Sequence, residues 1–89
     1  MKEKIVERIQ KAIDMEETLS IQMYTKEDDK NRITQFLIPE EVDVEDEELT
    51  IYSEGNTYIM DLFDVLDCND SCYFYGKNST ITLTFEEQM

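Results

Sequence analysis

Hydrophobic residues recur every three to four positions through the first fifteen residues of this chain and every second position through most of the rest. Ile5, Ile9, Ala12 and Ile13 share one face of a helix over residues 2–15, with Val6 beside them and charges filling the opposite face. Glu7 and Lys11 add a favourable pair one turn apart. With acids and bases almost balanced, this stripe is a core-facing seam, since helices that lie on membranes are usually basic.

After Glu17 the period becomes two. Leu19, Ile21 and Met23 alternate with Ser20, Gln22 and Tyr24, which predicts a strand over 18–25. Lys26–Arg32 is expected to form a polar turn, and Ile33–Ile38 a second strand that Pro39 ends or confines to an edge. Val42 and Val44 alternate with Asp43 and Glu45, so strand character continues beyond the proline. Leu49–Ser53 and Thr57–Phe63 flank Glu54-Gly55-Asn56, and Cys72–Tyr75 and Thr80–Phe85 flank Gly76-Lys77-Asn78, giving two hairpin signals. Ile81, Leu83 and Phe85 against Thr80, Thr82 and Thr84 form the cleanest alternation. Asp61–Cys68 fits either a strand to about Val65 or a short helix with Leu62, Val65 and Leu66 inward; the strand is preferred. Glu86–Met89 is expected to fray. The expected fold is therefore α+β, a single domain over 1–89. An N-terminal amphipathic helix precedes a meander over 18–86, five to six antiparallel strands curled into a strongly bent sheet or small β-barrel that covers its own edges.

Eighty-nine residues with nine aromatics suffice for one modest core. The chain holds no histidine, no glycine-rich phosphate loop and no second cysteine pair, so zinc, phosphate-loop and histidine-based catalysis are not expected, and neither is any cofactor. Asp67-x-Asn69-x-Ser71 begins like a calcium loop, but Cys72 stands where glycine must turn and Asn78 where the closing glutamate belongs. No apolar run approaches the roughly 18–20 residues of a membrane span, and Met1-Lys2-Glu3-Lys4 does not open a signal peptide, so a cytoplasmic location is expected. In a reducing cytosol Cys68 and Cys72 would be free thiols, with a redox or intersubunit role as the alternative. One alanine, two glycines and nine isoleucines are the composition of AT-rich coding DNA, as in a low-GC bacterium, its phages or its mobile elements.

Charge changes the picture most. The formal net charge is −14, but residues 1–32 carry eight acids and seven bases while residues 33–89 carry fourteen acids and the single base Lys77. Seven carboxylates crowd nine positions: Glu40, Glu41, Asp43, Glu45, Asp46, Glu47 and Glu48. Asp61, Asp64, Asp67 and Asp70 follow at intervals of three. One reading of these acids is a solvated surface that keeps a small protein soluble; a halophile surface would spread them over the whole chain. Concentration on one part, where like charges repel, suits a face that meets a basic partner. In an extended strand Glu41, Asp43, Glu45 and Glu47 would stand roughly 6.5–7 Å apart on one side, a row able to imitate a phosphate backbone. The alternate valines favour order in this segment and the density of acids opposes it.

From Ile9 to Cys68 the order of features resembles the WYL domain, an Sm/SH3-like barrel of bacterial regulators. Ile9-x-x-Ala12-Ile13 resembles its opening helix, Leu19-x-Ile21-x-Met23-Tyr24 its first strand, and Arg32 followed by Leu37-Ile38-Pro39 its second. The stretch from Leu49 to Val65 resembles the hairpin around the family's name motif, with Leu49-Thr50-Ile51-Tyr52 near the place of Trp-Tyr-Leu. YolD-like proteins share the barrel and the helix-first order. The resemblance implies a barrel fold and nucleic-acid or nucleotide binding through basic residues on the strand Tyr58–Val65. Here that strand carries Asp61 and Asp64 and no base, so direct nucleic-acid binding is not expected.

The function that follows is non-enzymatic. The chain is expected to act as an inhibitor of the phage or mobile-element type, presenting carboxylates to a basic nucleic-acid-binding protein or nuclease in an anti-defence or immunity role. The alternative is an Sm-like regulatory adaptor that self-associates as a homo-oligomer through sheet edges, with Tyr24, Tyr52, Tyr58, Tyr73 and Tyr75 supplying contacts.

Overall fold

The computed structural model describes the backbone of residues 2–25 and 28–87, and the side chains of that set apart from 28–33. Helix α1 (Lys2–Asp14) buries Ile5, Ile9 and Ala12, as its apolar stripe requires. It ends in a Schellman arrangement: the Glu17 amide donates to the Ala12 carbonyl at 2.8 Å and the Glu16 amide to that of Ile13 at 3.3 Å. Glu16 takes the left-handed conformation there (φ 55°), a place where glycine is usual.

Eight strands follow: β1 (Thr18–Thr25), β2 (Asp28–Leu37), β3 (Glu41–Glu45), β4 (Glu48–Ser53), β5 (Asn56–Asp61), β6 (Asp64–Cys68), β7 (Ser71–Tyr75) and β8 (Ser79–Glu86). They form a five-stranded sheet, β2-β1-β8-β7-β6, and a three-stranded sheet, β3-β4-β5, antiparallel throughout. Followed along the chain, the eight make six staves, because β2 runs on into β3 and β5 into β6. Each stave pairs with the next and the last, β8, pairs with β1, so the ring of pairings closes.

The two long staves bend where they change partners. Leu37 faces Leu19 on β1, whereas the Glu40 amide already donates to Tyr52 on β4. Pro39 sits between them, where the missing N–H removes no ladder bond. At the second corner consecutive amides go to opposite sheets: Leu62 donates to the Glu47 carbonyl and Phe63 to that of Tyr75, both at 2.8 Å. Corners of this kind let strands pass between sheets packed at a large angle. Gly76 is required beside this corner, since a Cβ there would lie 2.8 Å from Ser79 Oγ and 3.0 Å from the Asp61 Cβ.

The core between the sheets holds Leu19, Ile21, Leu49, Ile51, Leu62, Phe74, Ile81 and Leu83, with Ile5 and Ile9 from the helix. The α+β class, the helix-first order and the strongly bent antiparallel sheet are as the sequence predicts, and the six staves match the upper strand count. Three details differ. The second strand starts at Asp28, so most of the segment expected to turn is strand; Lys26 and Glu27 lie outside the described residues. Asp61–Cys68 is extended to Cys68 rather than Val65, with a bulge at Leu66 that turns this side chain outward. Cys68 and Cys72, expected to be free thiols, are directly opposed across the β6–β7 ladder and form a disulfide.

Candidate functional site

The acidic run is ordered as a strand, a two-residue turn and a second strand. In β3, Glu41, Asp43 and Glu45 point outward while Val42 and Val44 turn toward the core. In β4, Leu49 and Ile51 are buried and Glu48, Thr50 and Tyr52 alternate with them. In β5, Met60 is buried and Thr57, Ile59 and Asp61 are exposed. Register then fixes the outer face of this sheet as three rungs: Glu41–Tyr52–Thr57, Asp43–Thr50–Ile59 and Glu45–Glu48–Asp61.

The third rung is the electrostatic centre of the face. Three carboxylates stand directly opposite one another on three adjacent strands, an arrangement that destabilises a sheet through like-charge repulsion. The turn residues Asp46 and Glu47 continue the charge at the same end, and Lys77 lines that end with them. Asp46 is held in the left-handed conformation (φ 55°). Lys2, at the start of α1, donates from its ammonium to the Asp46 carbonyl at 3.0 Å.

The expected row of four is therefore three residues long, because the chain turns at Asp46-Glu47 and carries Glu47 off the strand. Glu40 lies just before β3, and its Oε1 accepts a hydrogen bond from the Glu54 amide at 3.2 Å. The aspartates spaced by three do not form one row. Asp61 belongs to the three-stranded sheet, while Asp64 and Asp67 share the outer side of β6 across from Tyr75 and Tyr73. On a regular strand an interval of three would place those two on opposite sides; the Leu66 bulge brings them together. Asp67 accepts from Asn69 Nδ2 at 3.3 Å, and Asp70 is exposed in the hairpin loop.

Sequence reasoning did not place Tyr52, Thr50, Thr57 and Ile59 on the acidic face. The signal was there: Val42 and Val44 must pair inward with Ile51 and Leu49, and the Glu54-Gly55 turn extends the same register to β5.

The outer side of the five-stranded sheet is different. Its β7–β8 part pairs Tyr73 with Thr82 and Tyr75 with Thr80, and the two tyrosine rings meet edge-on at 6.0 Å between centroids. Among the described residues no group of three metal-ligating side chains converges, and no helix is long and apolar enough to cross a membrane. Comparison with protein-family models, curated proteins and solved structures gives no match to this chain.

Proposed function

We propose that this protein is a non-enzymatic binding protein whose three-stranded acidic face engages a basic nucleic-acid-binding protein or nuclease, in competition with the nucleic acid. The observation that carries the reading is the Glu45–Glu48–Asp61 rung, in line with Glu41 and Asp43 on one exposed face. A solubility surface gains nothing from aligning like charges across a ladder. A face that meets cations gains fast, steered and salt-sensitive association from that alignment. Tyr52 and Ile59 among the acids add the apolar contacts that a purely electrostatic surface lacks.

The reading of an inhibitor of phage or mobile-element type belongs to the same proposal. The barrel with a leading helix is compatible with the WYL-like resemblance, while Asp61 and Asp64 on the strand Tyr58–Val65 argue for a protein rather than a polyanion as the partner.

The test is capture from host lysate with two baits of equal net charge. One carries Glu41→Gln, Asp43→Asn, Glu45→Gln and Glu48→Gln; the other carries Glu3→Gln, Glu7→Gln, Asp64→Asn and Asp67→Asn. Wild type and the second bait should recover the same basic protein at about 0.1 M salt and lose it near 0.5 M. The face-neutralised bait should recover none. Equal recovery by both variants would leave only a soluble acidic surface.

A further inference from the structure

Residues 67–73 form a tip set apart from the rest of the five-stranded sheet. Strand β6 is an edge of that sheet, and its pairing with β7 is interrupted at Leu66: Val65 faces Phe74 and Asp67 faces Tyr73, with Leu66 left over and exposed. Beyond the bulge two ladder pairs remain, Asp67–Tyr73 and Cys68–Cys72. On its other side β7 is held by β8, where Ser71 faces Thr84 and Cys72 faces Leu83. The less attached side of the tip is therefore Asp67–Asp70, and its covalent cross-link is the Cys68–Cys72 disulfide.

We propose that the Cys68–Cys72 pair is a reversible redox clasp. As a disulfide it holds Asp67–Asp70 against β7; as two thiols it lets that segment part from β7 while the barrel stays folded. The inference does not depend on which partner the acidic face binds.

Register supplies the first argument. The Asn69 amide donates to the Ser71 carbonyl at 3.0 Å, which makes Cys68 and Cys72 a non-hydrogen-bonded pair, the closer of the two kinds. Their Cα atoms are 4.1 Å apart, near the roughly 4.5 Å of such a pair without any cross-link. The ladder alone brings the two sulfurs together, and neither redox state requires a different pairing. The same parity turns the Asp67 amide toward Tyr73.

Ring size supplies the second. A disulfide constrains the unfolded chain least when the loop it closes is short. This one joins residues only four apart, in a hairpin already closed by its own turn. It is poorly placed to staple the whole domain and well placed to hold the tip.

Access supplies the third and fixes the chemistry. Cys72 is fully buried in the core, whereas Cys68 is half-buried at its rim. The thiolate of a small thiol attacks the Cys68 sulfur and forms a mixed disulfide; the bond to Cys72 breaks, and Cys72 leaves as a thiolate and takes up a proton. A second small thiolate attacks the small-molecule sulfur of the mixed disulfide, and Cys68 leaves and is protonated in turn. Two small thiols become one small disulfide, and the two electrons they give up reduce the protein's.

The experiment uses the isotope-labelled full chain, wild type and Cys68→Ser, in buffers of reduced and oxidised glutathione at a series of ratios. NMR shifts of the Cys68 and Cys72 Cβ atoms report the redox state. Hydrogen exchange at the Asp67 and Asn69 amides reports the tip, and at the Ile21 and Ile81 amides the barrel. Wild type is expected to pass reversibly between disulfide and dithiol along the series. Asp67 and Asn69 should exchange about tenfold faster in the dithiol form, with Ile21 and Ile81 unchanged. Cys68→Ser should show the fast tip exchange at every ratio. A pair that stays in one state at every ratio would overturn the proposal, and so would equal tip exchange in the two forms. A dithiol form in which Ile21 and Ile81 quicken together with the tip would make the bond a staple of the whole fold, and would overturn it too.

Discussion

The two seams of this barrel, one along β3 and β6 and one along β2 and β5, are built from the same kind of strand edge and finished in different ways. Along β3 and β6, α1 lays Ile5, Ile9 and Ala12 into the core, all fully buried. Arg8 then locks the helix down: its Nη1 meets Glu17 Oε1 at 2.9 Å, and its guanidinium lies 3.9 Å from the centre of the Phe85 ring. Along β2 and β5 the corresponding apolar groups, Phe36 and Ile59, stay exposed, and among the described residues no further strand pairs with either edge. The difference separates what folds the protein from what is left over for recognition. A helix that is nearly neutral closes one side, and the acidic sheet borders the side that stays open.

Breaking the covered seam has the largest expected effect. Ile9→Ala removes fully buried volume between helix and sheet and should cost about 2–5 kcal/mol in urea denaturation, a large share of the stability of so small a domain. Arg8→Ala deletes both the ion pair and the ring contact and leaves Glu17 mostly buried without its cation; a loss of about 2 kcal/mol is expected, measured in the same way. Glu16→Gly relieves a left-handed residue at the helix end and should raise stability by roughly 0.5–1 kcal/mol. Glu48→Gln breaks the middle of the acidic rung, and a gain of about 0.2–0.5 kcal/mol is expected at low salt, disappearing at 1 M. On the open seam Ile59→Thr should change stability by less than about 0.5 kcal/mol while weakening capture of the partner. Parity between Ile9→Ala and Ile59→Thr in denaturation would abolish the distinction between the seams.

Most of the fold is legible in local pattern because each stave carries an inward set of apolar residues at period two. Ile81, Leu83 and Phe85 in β8 and Leu19, Ile21 and Met23 in β1 are direct cases, and these first and last staves pair to close the ring. Two features were not legible for physical reasons. The bulge at Leu66 is a two-against-one pairing with β7, and no periodicity within residues 61–68 reveals it. The extension of β2 back to Asp28 includes a register shift, with Tyr24 opposite Arg32 and Thr25 opposite Asp28, which no periodicity in that polar segment reveals. For the site, density of acids located the face but not its composition. Glu41, Asp43 and Glu45 follow from alternation alone, whereas Glu48, Asp61, Tyr52 and Ile59 join them only through the register of two tight turns. Asp64 and Asp67, equally acidic in sequence, belong to the other sheet.

The account stands most directly on the salt dependence of binding to the captured basic protein, compared between the face-neutralised and the helix- and β6-neutralised variants. Both variants lower the negative charge by four, so any difference between them reports arrangement and not amount. The account predicts that the second variant keeps near-wild-type affinity and a steep loss of binding with salt, while the face-neutralised one loses affinity at least tenfold and responds to salt more weakly. Equal affinities and equal salt slopes for the two would contradict it, and would reduce the aligned rung to an ordinary acidic surface.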